Sequence, residues 1–282
     1  MKIESVPLGR NNRPIAMLPE PTTRLYTALT LAACFLLASC AGPSRDISRI
    51  PAQTDAVSSK DGLFMQPIEW SRTKPGCKGQ CPELSVDSLV FPGQKQLTEL
   101  VDHALAVMTG VGEKTMPPYD TIEGFEEYFW QTAGSRDEVM LSARAKYRNR
   151  HLTVLELSSG QYYTGAAHGI TATQFLNWDN DKNMVLGLQH ILAVGAYQDF
   201  LQELASAHEA WVENAPEAQE NPESWRRMWP FQPSDNFALT DQGVVVKYDS
   251  YEIAPYSSGQ PELLIPYARL KRILRPEYLP AA

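Results

Sequence analysis

Cys77 and Cys81 stand in a Cys-Lys-Gly-Gln-Cys segment, near enough to pair, to exchange disulfides or to share a metal ion. Redox exchange normally uses two intervening residues instead of three, and a zinc site needs two more ligands that nothing nearby supplies. In an oxidising compartment two close cysteines pair, and Gly79 lets so short a loop turn. A structural Cys77–Cys81 disulfide is the expectation. The histidines (His103, His151, His168, His190 and His208) are scattered without metal-binding spacing. His190 and His208 fall near or on helices and are expected to face solvent. Asp179-Asn180-Asp181-Lys182-Asn183 begins like a calcium loop, with oxygen side chains at positions one, three and five. Met184 then replaces the required glycine and His190 the closing glutamate, so a polar turn is expected. Glu123, Glu126 and Glu127 share one helix, where a solvated face is the default. No Gly-x-Ser-x-Gly elbow is present. No metal, cofactor or catalytic set is expected; a carboxylate pair of the glycosidase kind stays open as the rival.

Leu37-Ala38-Ser39-Cys40 closes an apolar run that starts at Leu25, and a polar, proline-containing stretch follows. The four residues resemble a bacterial lipobox, in which a peptidase needs small residues beside its cut and a lipid-transferring enzyme needs the thiol. The resemblance implies a signal peptide over residues 1–39 and a mature lipoprotein beginning at Cys40, with palmitate-type acyl chains on its sulfur and amine. The other readings are an ordinary secretory signal or a short membrane anchor, although a spanning helix needs ~20 residues. Translation begins at Met1, whose leader carries Lys2, Arg10 and Arg13, or at Met17. Ala41, not aspartate, follows the anchor cysteine. By resemblance to Gram-negative lipoproteins this implies the outer membrane, facing the periplasm.

The chain carries 25 basic and 33 acidic residues, net −8. Residues 1–39 hold Lys2, Arg10, Arg13 and Arg24 against Glu4 and Glu20, so the mature form has 21 basic and 31 acidic residues, net −10. No run of Lys or Arg offers a phosphate-binding face, and nucleic acid is not expected as a partner. Acidic surfaces attract cationic partners, and they also serve solubility alone.

These residues need elements to hold them. Residues 40–76 read as a flexible tether, rich in Ser and Pro without sustained periodicity. As a coil it reaches roughly 30–35 Å; an edge strand over residues 63–70 is possible within it. Residues 77–282 read as one α+β envelope-facing binding domain. Alternation predicts strands over residues 84–89, 139–145, 152–157, 170–178 and 263–265. Helical spacing predicts helices over 97–108, 120–131 and 195–213, with a short one from Pro266 to Leu274. Asp241-Gln242-Gly243 marks a hairpin within residues 236–247. The expected fold is therefore α+β: an antiparallel sheet (meander plus hairpin) with helices packed on one side.

Two segments stand out together. The first is Tyr162-Tyr163-Thr164-Gly165-Ala166-Ala167-His168-Gly169, followed by Phe175 and Asn177-Trp178-Asp179. The second runs from Phe237-Ala238-Leu239-Thr240 through Tyr248 and Tyr251-Glu252-Ile253-Ala254-Pro255-Tyr256 to Gly259 and Ile265-Pro266-Tyr267. Together they resemble the extracytoplasmic domain of a lysozyme-sensing anti-sigma factor, a domain also fused to some cell-wall polysaccharide deacetylases. The resemblance covers residues 81–274 and implies lysozyme or cell-wall peptidoglycan as partners. In that family the first turn reads Tyr-x-Gly-Gly-Ala-His, and Ala166 here replaces its second glycine. If that position needs a positive φ, the turn is strained or altered. With no sigma-binding segment and no deacetylase metal site, the resemblance leaves a non-catalytic recognition domain. Its candidate binding residues are Tyr163, Gly165, His168, Tyr251 and Tyr256. His168 serves either the turn or recognition. Tyr251 and Tyr256 serve either a packed corner beside Pro255 or an exposed interface.

Overall fold

The computed structural model describes residues 64–110 and 117–280. Cys40, the proposed leader and residues 40–63 of the proposed tether lie outside them.

The first sheet has six strands in sequence order: β1 (Gln66–Thr73), β2 (Glu83–Val90), β3 (Glu138–Arg148), β4 (Leu152–Tyr162), β5 (Ile170–Asp179) and the short β6 (Met184–Val185). Strand β2 alternates without a break, burying Leu84, Val86, Ser88 and Val90 on one face. Between β2 and β3 run helices α1 (Lys95–Val107) and α2 (Ile122–Thr132). They cover that face with Leu97, Val101, Leu105, Ile122, Phe125 and Phe129. Thr121 caps α2 by accepting the Gly124 N–H at 3.1 Å. Because this two-helix connection crosses the sheet, β2 and β3 pair in parallel; all other pairs are antiparallel. The expected meander is β3–β4–β5.

The second half contains α3 (Leu188–Ile191), α4 (Tyr197–Asn214), α5 (Pro216–Gln219) and α6 (Pro222–Met228), then a three-stranded antiparallel sheet of β7 (Phe237–Leu239), β8 (Gly243–Lys247) and β9 (Glu262–Pro266). A single-turn helix α7 (Tyr267–Leu270) follows. This sheet, α3 and α4 share a second core with Val154 and Phe175 from the far face of β4 and β5. One end of the first sheet is thus covered on both faces.

The two sheets are joined by side chains that stand in for a strand ladder. Asn177 on β5 donates to the Phe237 carbonyl at 2.7 Å and accepts from the Leu239 N–H at 2.9 Å. Asn236 accepts from the Phe175 N–H at 2.7 Å and donates to the Thr173 carbonyl at 2.9 Å. A quartet of Lys146, Glu156, Lys247 and Glu262 adds ion pairs, Lys146–Glu262 at 2.9 Å and Lys247–Glu262 at 3.3 Å among them. Burial works against ionised Glu156, yet Lys247 and Lys146 hold its carboxyl below the usual range.

The α+β fold is as expected, and besides the parallel β2–β3 pair in an otherwise antiparallel sheet three details differ. The globular part does not begin at residue 77: β1 already pairs with β2 from Gln66, because Ile68 and Trp70 alternate on an edge strand. The helix after Pro266 stops at Leu270; Leu274 instead pairs with Leu192 in an isolated bridge. His208 does not face solvent. It is 1% exposed, in line with Phe200, Leu204 and Val212 on the inner stripe of α4. Cys77 and Cys81 are joined by a disulfide that closes the β1–β2 turn.

Candidate functional site

The turn between β4 and β5 is anchored from below by Asp137. Its carboxylate accepts from the Thr164 N–H and hydroxyl, each at 2.6 Å, and from the Gly134 N–H at 2.8 Å. Burial raises the Asp137 pKa, and these hydrogen bonds outweigh it, leaving the carboxyl below its ordinary range. Gly165 takes φ +94°, which a side chain would strain. Ala166 has no positive φ and closes the turn by donating to the Tyr163 carbonyl at 2.9 Å. One left-handed residue suffices here, so the alanine brings no strain.

His168 ends this turn exposed. Its Nδ1 lies 2.8 Å from the Gly169 carbonyl. A carbonyl only accepts, so this nitrogen carries the proton in the neutral ring, leaving Nε2 as an acceptor. The Tyr251 hydroxyl lies 3.4 Å from Nε2.

Tyr251 belongs to the loop between β8 and β9, which two sets of contacts lock down. Asp249 accepts from the Thr173 N–H and the Gln260 amide, both at 2.8 Å. Burial raises the Asp249 pKa, and the Thr173 N–H offsets only part of that. Ile253 and Ala254 are fully buried and form the packed corner. Tyr251, held by a bond from its N–H to the Ala254 carbonyl, adopts φ +75°. Tyr251 and Tyr256 are 53% and 41% exposed, so the corner role falls to their apolar neighbours.

Four rings from three segments meet here. His168 packs on Tyr256 at 4.5 Å and lies 6.3 Å from Tyr251; Tyr251 lies 5.9 Å from Tyr256 and 6.4 Å from Trp229. Trp229, directly after α6, carries no sequence signal that sets it apart, since residues 216–229 show no sustained period. Tyr163 does not join the patch. Its hydroxyl donates to Gln161 at 2.5 Å, and its ring lines a separate hollow with Tyr119 and Phe129. Gly165 contributes by shaping the turn.

Beside the patch lies a hollow of about 330 Å³ lined by Glu83, Ser85, Glu138, Met140, Gly160, Thr171 and Tyr256, among others. It holds two carboxylates but not His168. Among the described residues no group of acidic, histidine or cysteine side chains could hold a metal ion. The aromatic patch offers flat, amphipathic contact area on a rigid frame, suited to recognition.

Residues 190–268 match a family described as a protein of unknown function, DUF3298. They hold Trp229, Tyr251 and Tyr256, while His168 lies before them. The crystal structure of a DUF3298 family protein from Pseudomonas aeruginosa PAO1 is similar over 78% of this chain and 98% of that one, at 35% identity and TM-score 0.71. A DUF3298 family member from Bacteroides fragilis NCTC 9343 shares the fold, at 21% identity and TM-score 0.58, over 76% and 94% of the two chains. No curated protein matches.

Proposed function

This chain belongs to the DUF3298 family, and we propose that it is a non-catalytic recognition module of the cell envelope, lipid-anchored through Cys40 and facing the periplasm. Its partner is a lysozyme-type muramidase, with cell-wall material as the alternative. The observation that carries this reading is the meeting of His168, Tyr251 and Tyr256 in one exposed patch. All three belong to the two segments that carry the resemblance to the lysozyme-sensing domain. An acidic chain suits a strongly cationic partner, whose approach is steered by charges screened beyond ~8–10 Å at physiological salt.

Calorimetry with lysozyme tests the proposal. Binding is expected in low salt, weakening as salt rises, and Tyr251→Ala should lose roughly 2 kcal/mol of affinity. No heat of binding at about 10 μM lysozyme in low salt would overturn the choice of partner. The rival reading, an envelope polysaccharide or peptidoglycan hydrolase, draws on one observation. Glu83 and Glu138 are register neighbours and both line the hollow. Solubilisation of purified sacculi by the wild type but not by Glu138→Gln would favour it.

A further inference from the structure

We propose that the open face of the six-stranded sheet is a second binding site, a groove for a segment of an uncharged N-acetylated amino-sugar chain. It rests on the non-catalytic role and the cell-wall alternative of the preceding reading, and it is independent of lysozyme.

Register builds the groove. Ser85, Met140, Gly160 and Thr171 form one row across β2, β3, β4 and β5, on the face opposite the α1–α2 core. The row toward the second sheet holds Ser142 and Ser158, whose hydroxyls lie 2.8 Å apart. The row on the other side holds Glu83, Glu138 and Tyr162. Tyr256 stands at the wall, its ring backed by His168.

Gly160 is the feature that protein structure alone leaves unexplained. A glycine inside a strand weakens it by roughly 0.5–1 kcal/mol. Its φ is not positive, and an added Cβ would meet only the Met140 Cβ, at 4.0 Å, an ordinary contact. Neither backbone conformation nor internal packing asks for glycine here. Close approach by something outside the chain does.

The lining selects the occupant. Hydroxyls and carboxylates accept from sugar hydroxyls and acetamide N–H groups, while the tyrosine ring covers the apolar face of a pyranose. No lysine or arginine lines the hollow, and Glu138 forms no ion pair among the described residues. Polyanions are therefore disfavoured. At about 330 Å³ the hollow sits at the low end of the ~300–1,000 Å³ usual for small-ligand clefts.

Chitohexaose titrated into the protein tests this, read by amide chemical shifts, with oligogalacturonate as the anionic control. Shifts centred on Gly160, Met140 and Thr171 are expected with chitohexaose alone. Gly160→Val sets a strand-favouring side chain on the groove floor. It should keep the melting temperature, weaken chitohexaose at least tenfold and leave lysozyme binding unchanged. If that variant does not fold, Gly160→Ala and Glu138→Gln should each weaken chitohexaose binding. Equal chitohexaose binding by the folded variants and the wild type overturns the proposal. So does absence of binding at ~1 mM, or preference for oligogalacturonate. A wild type that binds chitohexaose but no lysozyme would count against the preceding reading and leave the groove standing.

Discussion

Tyr251 is a bulky residue in left-handed backbone, a conformation that costs roughly 1–2 kcal/mol for residues with a Cβ. Ile253 and Ala254, buried just beyond it, hold the loop in that shape. Stability would favour glycine at 251, while the patch needs the ring. Tyr251→Gly should therefore melt above Tyr251→Ala, by about 1 kcal/mol in unfolding free energy, while both lose lysozyme affinity. Equal melting would show that the loop relaxes once the ring is gone. His208 makes a second case. Both its ring nitrogens are buried without a hydrogen-bond partner among the described residues, between Trp211 and Phe231. Burial lowers its pKa below 6.5, helped by Arg226 and opposed by Glu209. The unfolded chain then takes up the proton first, so stability is fully present above pH 6.5 and falls as pH drops below it. Denaturant titrations from pH 7.5 to 5 should show this fall, and His208→Leu should remove much of it.

At the scale of elements, Asn177 joins two sheets that share no backbone ladder. Asn177→Ala would strand the buried Phe237 carbonyl and Leu239 N–H, each worth about 1–3 kcal/mol when left unpaired. Equilibrium unfolding should register a loss of at least 2 kcal/mol, whereas a drop under 0.5 kcal/mol would mean that water replaces the amide. Such bridges leave little trace in sequence: Asn177 reads as one more polar residue in an alternating run. Alternation located β2 to β5 because burying one face requires it. It carries no information on strand direction; the parallel β2–β3 pair follows from how the two helices between those strands cross the sheet. His208 was legible in principle, since Phe200, Leu204, His208 and Val212 recur every four residues, but its polarity masked the stripe. His168, Tyr251 and Tyr256 could be picked out in two separate segments. Their contact could not, nor could Trp229 or the bare floor at Gly160, because both depend on which strands become neighbours.

The whole molecule raises the question of attachment. If Cys40 is the acylation site, Cys40→Ser should leave an unprocessed precursor that takes up no fatty-acid analogue. Continued labelling of that variant would end the lipoprotein reading. The chain that precedes the fold joins it at β1, an edge strand whose backbone pairs only with β2 among the described residues, with Gln66 opposite Val90 as the first rung and Arg72 tied to Glu126 on α2. A force drawn through that chain away from the sheet meets the rungs one at a time. It peels β1 as a zipper opens, where a pull along the strands would have to break all of them together. Eight residues would come free, about 26 Å of extended chain, up to the disulfide-closed turn. The meander, both asparagine bridges and the aromatic patch lie beyond that turn. The edge strand is thus a mechanical fuse: under strain the module would lengthen its own leash before loosening its grip.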